Sequence, residues 1–220
     1  MLDRISGILF PPKCVLCGKL LSETETDLCH ICREKAPFFS KGKIRFSFVA
    51  RWTAVWYYKD NVRQSLLHYK FRRRRNYAAC YGRLLAMKLQ NTQLDDFDVL
   101  TWVPISRLRR YRRGFDQVEL LASAVASELG VPAVKSLKKI RHTPPQSRLK
   151  SAAQRRANIL GAYRVCDPEA VQGKRVLLLD DIITTGATIS ECARMLTLSG
   201  ASAVCCAAVA VAPHEKNNKK

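Results

Sequence analysis

Residues 176–188, VLLLDDIITTGAT, decide how this chain is expected to fold. The four apolar residues 176–179 predict a strand that is buried on both faces, which is typical of a parallel sheet. Asp180 and Asp181 stand at the carboxyl end of this strand, and a helix ending near Gly200 is predicted behind the turn. Because the free N–H groups of such a turn and the helix dipole both attract anions, the segment indicates a phosphate site.

The two aspartates indicate which phosphate compound would fit. Carboxylates repel a bare polyphosphate but accept hydrogen bonds from neighbouring hydroxyl groups, so a ribose diol beside a 5-phosphate suits both halves of the segment. An ordinary strand–helix turn with acidic residues near it is the alternative interpretation. The spacing of the segment resembles the phosphoribosyl pyrophosphate (PRPP) motif of type I phosphoribosyltransferases.

The composition is that of a basic chain with enough apolar residues to fill a core. Of the 220 residues, 47% are apolar, and 38 lysines and arginines against 18 acidic residues give a net charge of +20. This excess predicts an anionic partner such as nucleic acid, a membrane surface or a phosphate-rich ligand, and charge that serves solubility alone is the alternative. The length allows one α/β domain and a small module.

The compartment is predicted from the chain's start and its cysteines. The first residues, MLDRISGILFPPKC, make a poor signal peptide, and the longest apolar run, residues 203–212, is too short to cross a bilayer. We therefore expect no membrane span and a cytoplasmic location. There, nine cysteines favour metal binding or burial over a disulfide framework.

Four cysteines have the spacing of a zinc site, in two C-x2-C pairs that are eleven residues apart: Cys14, Cys17, Cys29 and Cys32. Each pair can place two thiolates on one side of a tight turn, and Gly18 could supply the bend. A redox pair is the alternative, and His30 is expected to be a bystander. We predict one structural Zn²⁺ that holds together a module with little core of its own. The other cysteines are expected in the core: Cys80, Cys166, Cys192, Cys205 and Cys206.

A basic stretch with aromatic neighbours, HYKFRRRRN, lies between two predicted helices, one capped by Asp60 and the other starting at Tyr77. It predicts a patch that contacts the phosphates of single-stranded DNA, and a solvated helix end is an equally good interpretation. The arginines of this patch are Arg72, Arg73, Arg74 and Arg75, and the aromatic residues that could stack on bases are Tyr69, Phe71, Tyr77 and Tyr111.

A predicted strand at residues 97–103 leads into an arginine-rich loop, PISRLRRYRRGFDQ. Open α/β sheets bind ligands at the carboxyl ends of their strands, so this loop suits a pyrophosphate. A helix should follow from Asp116, whose spacing to Glu119 fits a capping box. After a short strand near residues 133–137, the segment 138–163 lacks clear periodicity and is expected to form a lid.

Four features in this order resemble the ComF family of competence-associated, phosphoribosyltransferase-like proteins. They are the four-cysteine module, RGF-D-Q after a VP loop, R-x-T-P-P-Q followed by R-x-x-N, and LLLDDIITTGAT. The resemblance covers nearly the whole chain. It implies a type I phosphoribosyltransferase fold with a central, mainly parallel sheet, a small zinc ribbon-like module, and a part in handling incoming DNA during natural transformation.

The resemblance also implies roles for individual residues. Asp180 and Asp181 would take the ribose hydroxyls and act in catalysis, while Asp116 departs from the family, which usually has Asn there. If Asp116 faces the pyrophosphate it would weaken PRPP binding, whereas as a helix cap it would change little. The remaining implied contacts are the 5-phosphate site Thr184, Thr185, Gly186, Ala187 and Thr188, the pyrophosphate loop Arg113, Gly114 and Gln117, and the lid residues Arg141, Thr143, Gln146, Arg155 and Asn158.

Three parts are thus expected: a zinc module at 1–45, a phosphoribosyltransferase-like domain at 46–213 and a basic tail at 214–220. The preferred hypothesis is a protein that binds PRPP with Mg²⁺, transfers the phosphoribosyl group to an unidentified acceptor, and handles single-stranded DNA beside a protein partner of the competence machinery. The alternative hypothesis is a non-catalytic regulator that senses PRPP or binds DNA with the same fold.

Overall fold

The computed structural model describes residues 11–40, 44–72, 74–141, 143 and 152–213. Its strands are β1 Arg51–Tyr57, β2 Val99–Trp102, β3 Leu137–Lys139, β4 Tyr163–Val165, β5 Arg175–Ile183 and β6 Ala203–Val211. Its helices are α1 His30–Lys35, α2 Asp60–Phe71, α3 Tyr77–Asn91, α4 Arg107–Arg113, α5 Gln117–Leu129, α6 Ala152–Ile159 and α7 Ala187–Leu198.

Four of the strands form a parallel sheet in the order β1-β6-β5-β2. β5 is an interior strand, as its apolar run predicts, because it pairs with β6 on one side and β2 on the other. Leu177, Leu178 and Leu179 have no exposed surface. The predicted fold class, an α/β domain around a parallel sheet, is confirmed.

Helices cover both faces of this sheet. Leu177 and Leu179 of β5 pack in one core with residues of α2, α3 and α5, whereas Val176 and Leu178 pack in a second core with residues of α7. This division follows from the alternation of side chains along a strand. Apolar side chains therefore cover both faces of β5, and the strand can present polar groups to solvent only at its carboxyl end.

Asp180 and Asp181 lie inside β5, which continues to Ile183 and pairs with β6 as far as Val211. The prediction that the strand ends before the aspartates is therefore wrong, because β6 is long enough to extend the ladder beyond them. β2 ends earlier, and the last bond on that side runs from the Val103 N–H to the Leu179 carbonyl, at 2.9 Å. The aspartates thus lie in the part of β5 that extends beyond the end of β2.

Three local predictions fail at particular residues. The arginine-rich loop contains helix α4, which begins at the cap Ser106 and ends at Gly114, whose φ is 75°. The strand predicted near residues 133–137 is present only in part: Ala133 makes an isolated parallel bridge to Leu100 of β2, and β3, which begins at Leu137, pairs antiparallel with β4 in a separate two-stranded sheet. Asp60 does not cap α2: it is the helix's first residue, with a φ of 49°, and the preceding N-cap residue makes no side-chain bond to the helix.

The remaining cysteines are not all in the core. Cys192 and Cys206 are buried and Cys80 and Cys205 are half-buried, but Cys166 is exposed after β4. Among the described residues, no helix is long and apolar enough to cross a bilayer.

Candidate functional site

The four cysteines of the N-terminal module converge on one point. Their Sγ atoms all lie within 4.8 Å of one another, and those of Cys17 and Cys29 are 3.6 Å apart. A tetrahedron with Zn–S bonds of about 2.3 Å has edges of about 3.8 Å, so this donor set fits one Zn²⁺. Gly18 supplies the predicted bend with a φ of 75°. His30 instead hydrogen-bonds Glu25, as expected of a bystander.

The zinc module shares its core with the α/β domain. Cys14, Val15 and Cys29 belong to the same apolar cluster as Trp56 and Tyr81. We infer that the two parts do not fold as independent units. The domain boundary near residue 45 stays a prediction.

Polar contacts also join the module to α2 and α3. Asp27, which is 7% exposed, accepts hydrogen bonds from Nε and an Nη of Arg83 on α3. The Ser65 hydroxyl on α2 donates to the Val15 carbonyl, and the Asn61 amide lies 3.6 Å from the Sγ of Cys32. Side chains of α2 and α3 therefore help to hold the segment that contains the four cysteines.

A pocket of about 850 Å³ opens at the carboxyl ends of β2 and β5. Two carboxylates line it, Asp180 and Asp181, together with Thr184 and Thr188 of the turn before α7. Within the described part of the chain, six basic side chains line it as well: Arg63, Lys70, Arg109, Arg112, Arg113 and Lys139. Such an excess of cations selects a ligand with several negative charges.

The two aspartates have different surroundings. Asp181 is 4% exposed, and its Oδ1 accepts from Lys70 Nζ at 2.8 Å while its Oδ2 accepts from Gln117 Nε2 at 2.9 Å. Asp180 is partly exposed, and its Oδ1 accepts from the backbone N–H of Asp181 at 2.8 Å. Asp180 is thus the carboxylate with an oxygen available to a ligand.

The pKa values of the two aspartates are shifted in opposite directions. Enclosure by the protein and the neighbouring charge of Asp181 raise the pKa of Asp180 well above its usual value. Burial opposes the ionisation of Asp181, but the charge and hydrogen bond of Lys70 and the hydrogen bond of Gln117 outweigh it and lower its pKa. Asp181 therefore carries the charge of the pair, and Asp180 would ionise when a cation approaches it.

The turn before α7 has the shape of an anion cradle. Gly186 is the N-cap of α7 with a φ of 74°, and no side chain caps the helix there. A Cβ at Gly186 would come within 2.2 Å of the Phe46 ring, so the turn needs glycine for space as well as for its dihedral angle. The Thr185 Oγ1 is buried and has no hydrogen-bond partner among the described residues. A ligand oxygen in the turn could satisfy it.

The residues predicted to form a pyrophosphate loop are partly brought to the pocket. Arg113 and Gln117 line it, whereas Gly114 ends α4 outside it. Asp116 is buried and caps α5, because its Oδ1 accepts from the N–H groups of Val118 and Glu119, at 3.0 and 3.3 Å. Of the two alternatives for this residue, the structure places it as the helix cap and away from the pocket lining.

The described residues of the predicted lid separate into two groups. Thr143 lines the pocket and accepts a hydrogen bond from Lys139 Nζ at 2.7 Å. Arg141 instead donates to the backbone carbonyls of Asn158 and Leu160, which ties the segment to the end of α6. Arg155 also lies on α6 and is not among the lining residues. Gln146 lies outside the described residues.

Comparison with known proteins agrees with this architecture. The profile of the family described as "Double zinc ribbon domain" matches residues 5–43, and that of "Phosphoribosyl transferase domain" matches residues 119–220. "Competence protein ComFC" of Bacillus subtilis (strain 168) is 26% identical over 205 residues, which is 92% of this chain and 77% of that protein. "DNA utilization protein YhgH" of Escherichia coli (strain K12) is 32% identical over 197 residues, 87% of this chain and 80% of that protein. The chain belongs to the ComF family.

A further relative gives the limits of the match. "DNA utilization protein YhgH" of Salmonella typhimurium (strain LT2) is 36% identical over 140 residues, which cover 61% of this chain and 60% of that protein, so the aligned part spans less than two thirds of that relative's length. In this ComF protein the domain is a type I phosphoribosyltransferase fold, and the zinc ribbon has one four-cysteine site within the described residues.

The basic stretch after α2 agrees only partly with the predicted DNA-binding patch of this ComF protein. Arg72, Arg74 and Arg75 are exposed, and Arg73 lies outside the described residues. Tyr69 is completely buried and hydrogen-bonds the Gln117 carbonyl, so its proposed stacking on bases is wrong. The aromatic residues that remain exposed are Phe71, at 64%, and Tyr111, at 87%, and Tyr77 is half-buried.

Sequence reasoning missed the basic side chains that complete the pocket. Lys70 adjoins the arginine patch in the sequence, but its ammonium group turns inward to Asp181. Lys139 lies on β3 with its Nζ 5.3 Å from the centre of the Tyr163 ring. Lys70 belongs to the basic stretch HYKFRRRRN, but no local pattern predicts that either lysine faces the pocket, because helix α2 and strand β3 bring them to β5 from distant positions in the chain.

Proposed function

We propose that this ComF protein binds PRPP together with Mg²⁺ in the pocket at the carboxyl end of β5. The observation that carries the proposal is the position of Asp180, which adjoins the phosphate-type turn at one end of a pocket that six basic side chains line among the described residues. Asp180 would accept hydrogen bonds from the ribose hydroxyls, and the turn would hold the 5-phosphate. The basic side chains would hold the pyrophosphate.

The residues present fit the ligand in two independent respects. The buried Thr185 Oγ1 and Gln117 Oε1 have no hydrogen-bond partner in the described part of the chain; Gln117 lines the pocket, and Thr185 belongs to the turn before α7. A buried polar atom without a partner costs about 1–3 kcal/mol, which a ligand that supplies the missing bond would recover. Asp180 could hold Mg²⁺, which, when bound, would neutralise charge on the leaving pyrophosphate.

We further propose that the protein is an enzyme that transfers the phosphoribosyl group. In that reaction the bond from C1 to the pyrophosphate oxygen breaks, a bond from C1 to the acceptor forms, and positive charge develops on the ribose. An ionised Asp180 would stabilise that charge, and Arg109, Arg112 and Arg113 would take up the negative charge of the leaving group. The alternative is a protein that binds PRPP as a signal and leaves it intact.

Calorimetry with PRPP and Mg²⁺ tests the binding proposal. The wild type should bind, and the double variant Asp180→Asn with Asp181→Asn should not, although a circular dichroism spectrum close to that of the wild type should show that the variant still folds. Equal affinity in the two proteins would refute the assignment. Release of pyrophosphate when bases, nucleosides or DNA are added would separate the enzyme from the sensor.

A second proposed function is binding of single-stranded DNA, in the cytoplasm and beside a partner of the competence machinery. Helix α4 favours it, because none of its residues is buried and five of its seven residues are arginines. Tyr111 projects from it, and the Arg113 guanidinium lies 5.0 Å from the centre of the Phe71 ring. Exposed aromatic rings beside cations suit stacked bases and a phosphate backbone.

The salt dependence of DNA binding tests this second function. Replacement of Arg72, Arg73, Arg74 and Arg75 by alanine should weaken binding and flatten the slope of log K against log salt, by about 0.7 for each phosphate that the variant no longer neutralises. PRPP binding should not change. Equal slopes would make these arginines a solvated surface, and no binding at low salt would leave PRPP binding as the single function.

A further inference from the structure

Lys70 and Gln117 occupy both carboxylate oxygens of Asp181. Lys70 comes from the last turn of α2, and Gln117 is the first residue of α5, so two helices that are distant in sequence meet on this one side chain of β5. The Asp181 side chain is 6% exposed and that of Lys70 is 16% exposed. This is a nearly buried ion pair in the wall of the ligand pocket.

The ammonium group of Lys70 keeps donors for a ligand. It carries three N–H bonds, and one of them is directed to Asp181 within the described residues. Lys70 and Arg113 both line the pocket, and Arg113 would provide a second positive charge for an anionic group there. A cation that is already fixed in place loses little freedom when it binds an anion.

We propose that Asp181 is a positioning residue, which holds Lys70 ready to bind the pyrophosphate part of PRPP, and that Asp180 alone of the pair takes the ribose hydroxyls. The inference rests on the proposed function and goes beyond it, because it gives the two neighbouring carboxylates different tasks. The low pKa of Asp181 supports it, since a carboxylate that stays ionised keeps Lys70 attached.

The opposite arrangement has a different consequence. If Lys70 simply covered Asp181 until the ribose displaced it, the lysine would compete with the ligand. Removing the lysine would then strengthen PRPP binding. If Lys70 is instead a ligand-binding residue, removing it weakens binding, so the sign of the change decides between the two arrangements.

The experiment measures the affinities of PRPP, pyrophosphate and ribose 5-phosphate, each with Mg²⁺, by calorimetry. Lys70→Met should weaken PRPP and pyrophosphate by the same factor, about tenfold to hundredfold, and leave ribose 5-phosphate nearly unchanged. Lys70→Arg should restore part of the affinity. Lys59→Met, which removes an exposed charge just before the same helix, is the matched control and should bind all three ligands as the wild type does.

The aspartates should separate in the same assay. Asp181→Asn should reproduce the pattern of Lys70→Met, and combining the two substitutions should weaken binding no more than either one alone, because both act through one ammonium group. Asp180→Asn should weaken PRPP and ribose 5-phosphate but not pyrophosphate. A merely structural role for Asp181 would weaken all three ligands together.

Three results would overturn the inference: tighter PRPP binding by Lys70→Met, unchanged pyrophosphate affinity in that variant, or loss of ribose 5-phosphate affinity in Asp181→Asn equal to that in Asp180→Asn. Failure of the proposed function gives a different result. In that case the wild type would not bind PRPP at all, whereas the pyrophosphate measurements would still report on Lys70.

Discussion

The zinc ribbon and the pocket at the carboxyl end of β5 are built in opposite ways. The ribbon's four ligands come from one short segment, Cys14 to Cys32, and their spacing alone predicts the site. The pocket joins Asp181 to Lys70, which is 111 positions away, and to Gln117, which is 64 positions away. The difference teaches that a locally built site can be found by pattern, whereas a distributed site needs the fold. The two nevertheless share one core, so damage to either region should reach the other.

Removal of zinc should have the largest effect on the stability of the two regions. Structural zinc contributes on the order of 10 kcal/mol of folding free energy in small modules, and here Cys14 and Cys29 also pack against the sheet's core. Cys29→Ser should therefore lose the metal, unfold the ribbon and lower the melting temperature of the α/β domain. Zinc content and tryptophan fluorescence during thermal unfolding measure both parts. A metal-free protein with an unchanged domain transition would mean that the two parts are independent.

The ion pair between Asp27 and Arg83 should have the next largest effect. Arg83→Ala leaves the Asp27 carboxylate nearly buried without its partner, which should cost about 1–3 kcal/mol, less than a fully buried pair because the Arg83 side chain is 38% exposed. The free energy of unfolding in urea checks this value. Asp27→Asn is the control, since it removes the charge that needs the arginine. Equal stability of Arg83→Ala and the wild type would argue against coupling between the regions.

Gly186→Ala tests the turn of the pocket without touching the ribbon. The left-handed dihedral angle and the collision with Phe46 should together cost about 1–3 kcal/mol and weaken PRPP binding. Gly173→Ala is a matched control, because Gly173 has a φ of 70° but no atom within 4 Å of an added Cβ. Urea unfolding and calorimetry report the two effects. Identical losses in both variants would exclude a special role for the Phe46 ring.

Lys139 should give the smallest effect, as a pH dependence. Burial and the nearby positive charges of Arg109 and Arg141 lower the pKa of Lys139 to about 8, although Cys192 acts in the other direction. As the pH rises through that value, the lysine loses its charge and the affinity for pyrophosphate should fall a few-fold between pH 7 and 9.

Lys139→Arg is the reference for that measurement, because arginine stays charged and the ligand's own titration is common to both proteins. Calorimetry at several pH values should show a steeper decline for the wild type. The lowered pKa of Lys139 also makes the free energy of unfolding depend on pH. The folded state binds fewer protons than the unfolded state between about pH 8 and 10.5, so this lysine's contribution to stability increases over that window. Parallel pH profiles for the two proteins would remove Lys139 from the ligand site.

Much of the fold was predictable from local sequence. The apolar run of β5, the glycine after α7 and the cap Asp116 each indicate an element that the structure contains. The failures have physical reasons. α4 has only Leu108 and Tyr111 besides its arginines, so its sequence shows no apolar periodicity that could reveal a helix. The length of β5 depends on how far β6 accompanies it.

The site was predictable in its centre but not at its edges. A contiguous motif contains Asp180 and the turn, whereas the surroundings that distinguish Asp180 from Asp181 come from α2 and α5. Tyr69 shows the same limit, because its position beside four arginines indicated a surface, yet the helix turns its ring into the core.

A crystal structure of the protein soaked with PRPP and Mg²⁺ would test the central claim most directly. We expect electron density in the pocket with the ribose hydroxyls within hydrogen-bond distance of the Asp180 carboxylate and the 5-phosphate at the N–H groups of residues 184–188. Density for PRPP at another surface, or an empty pocket at a saturating concentration of the ligand, would contradict it.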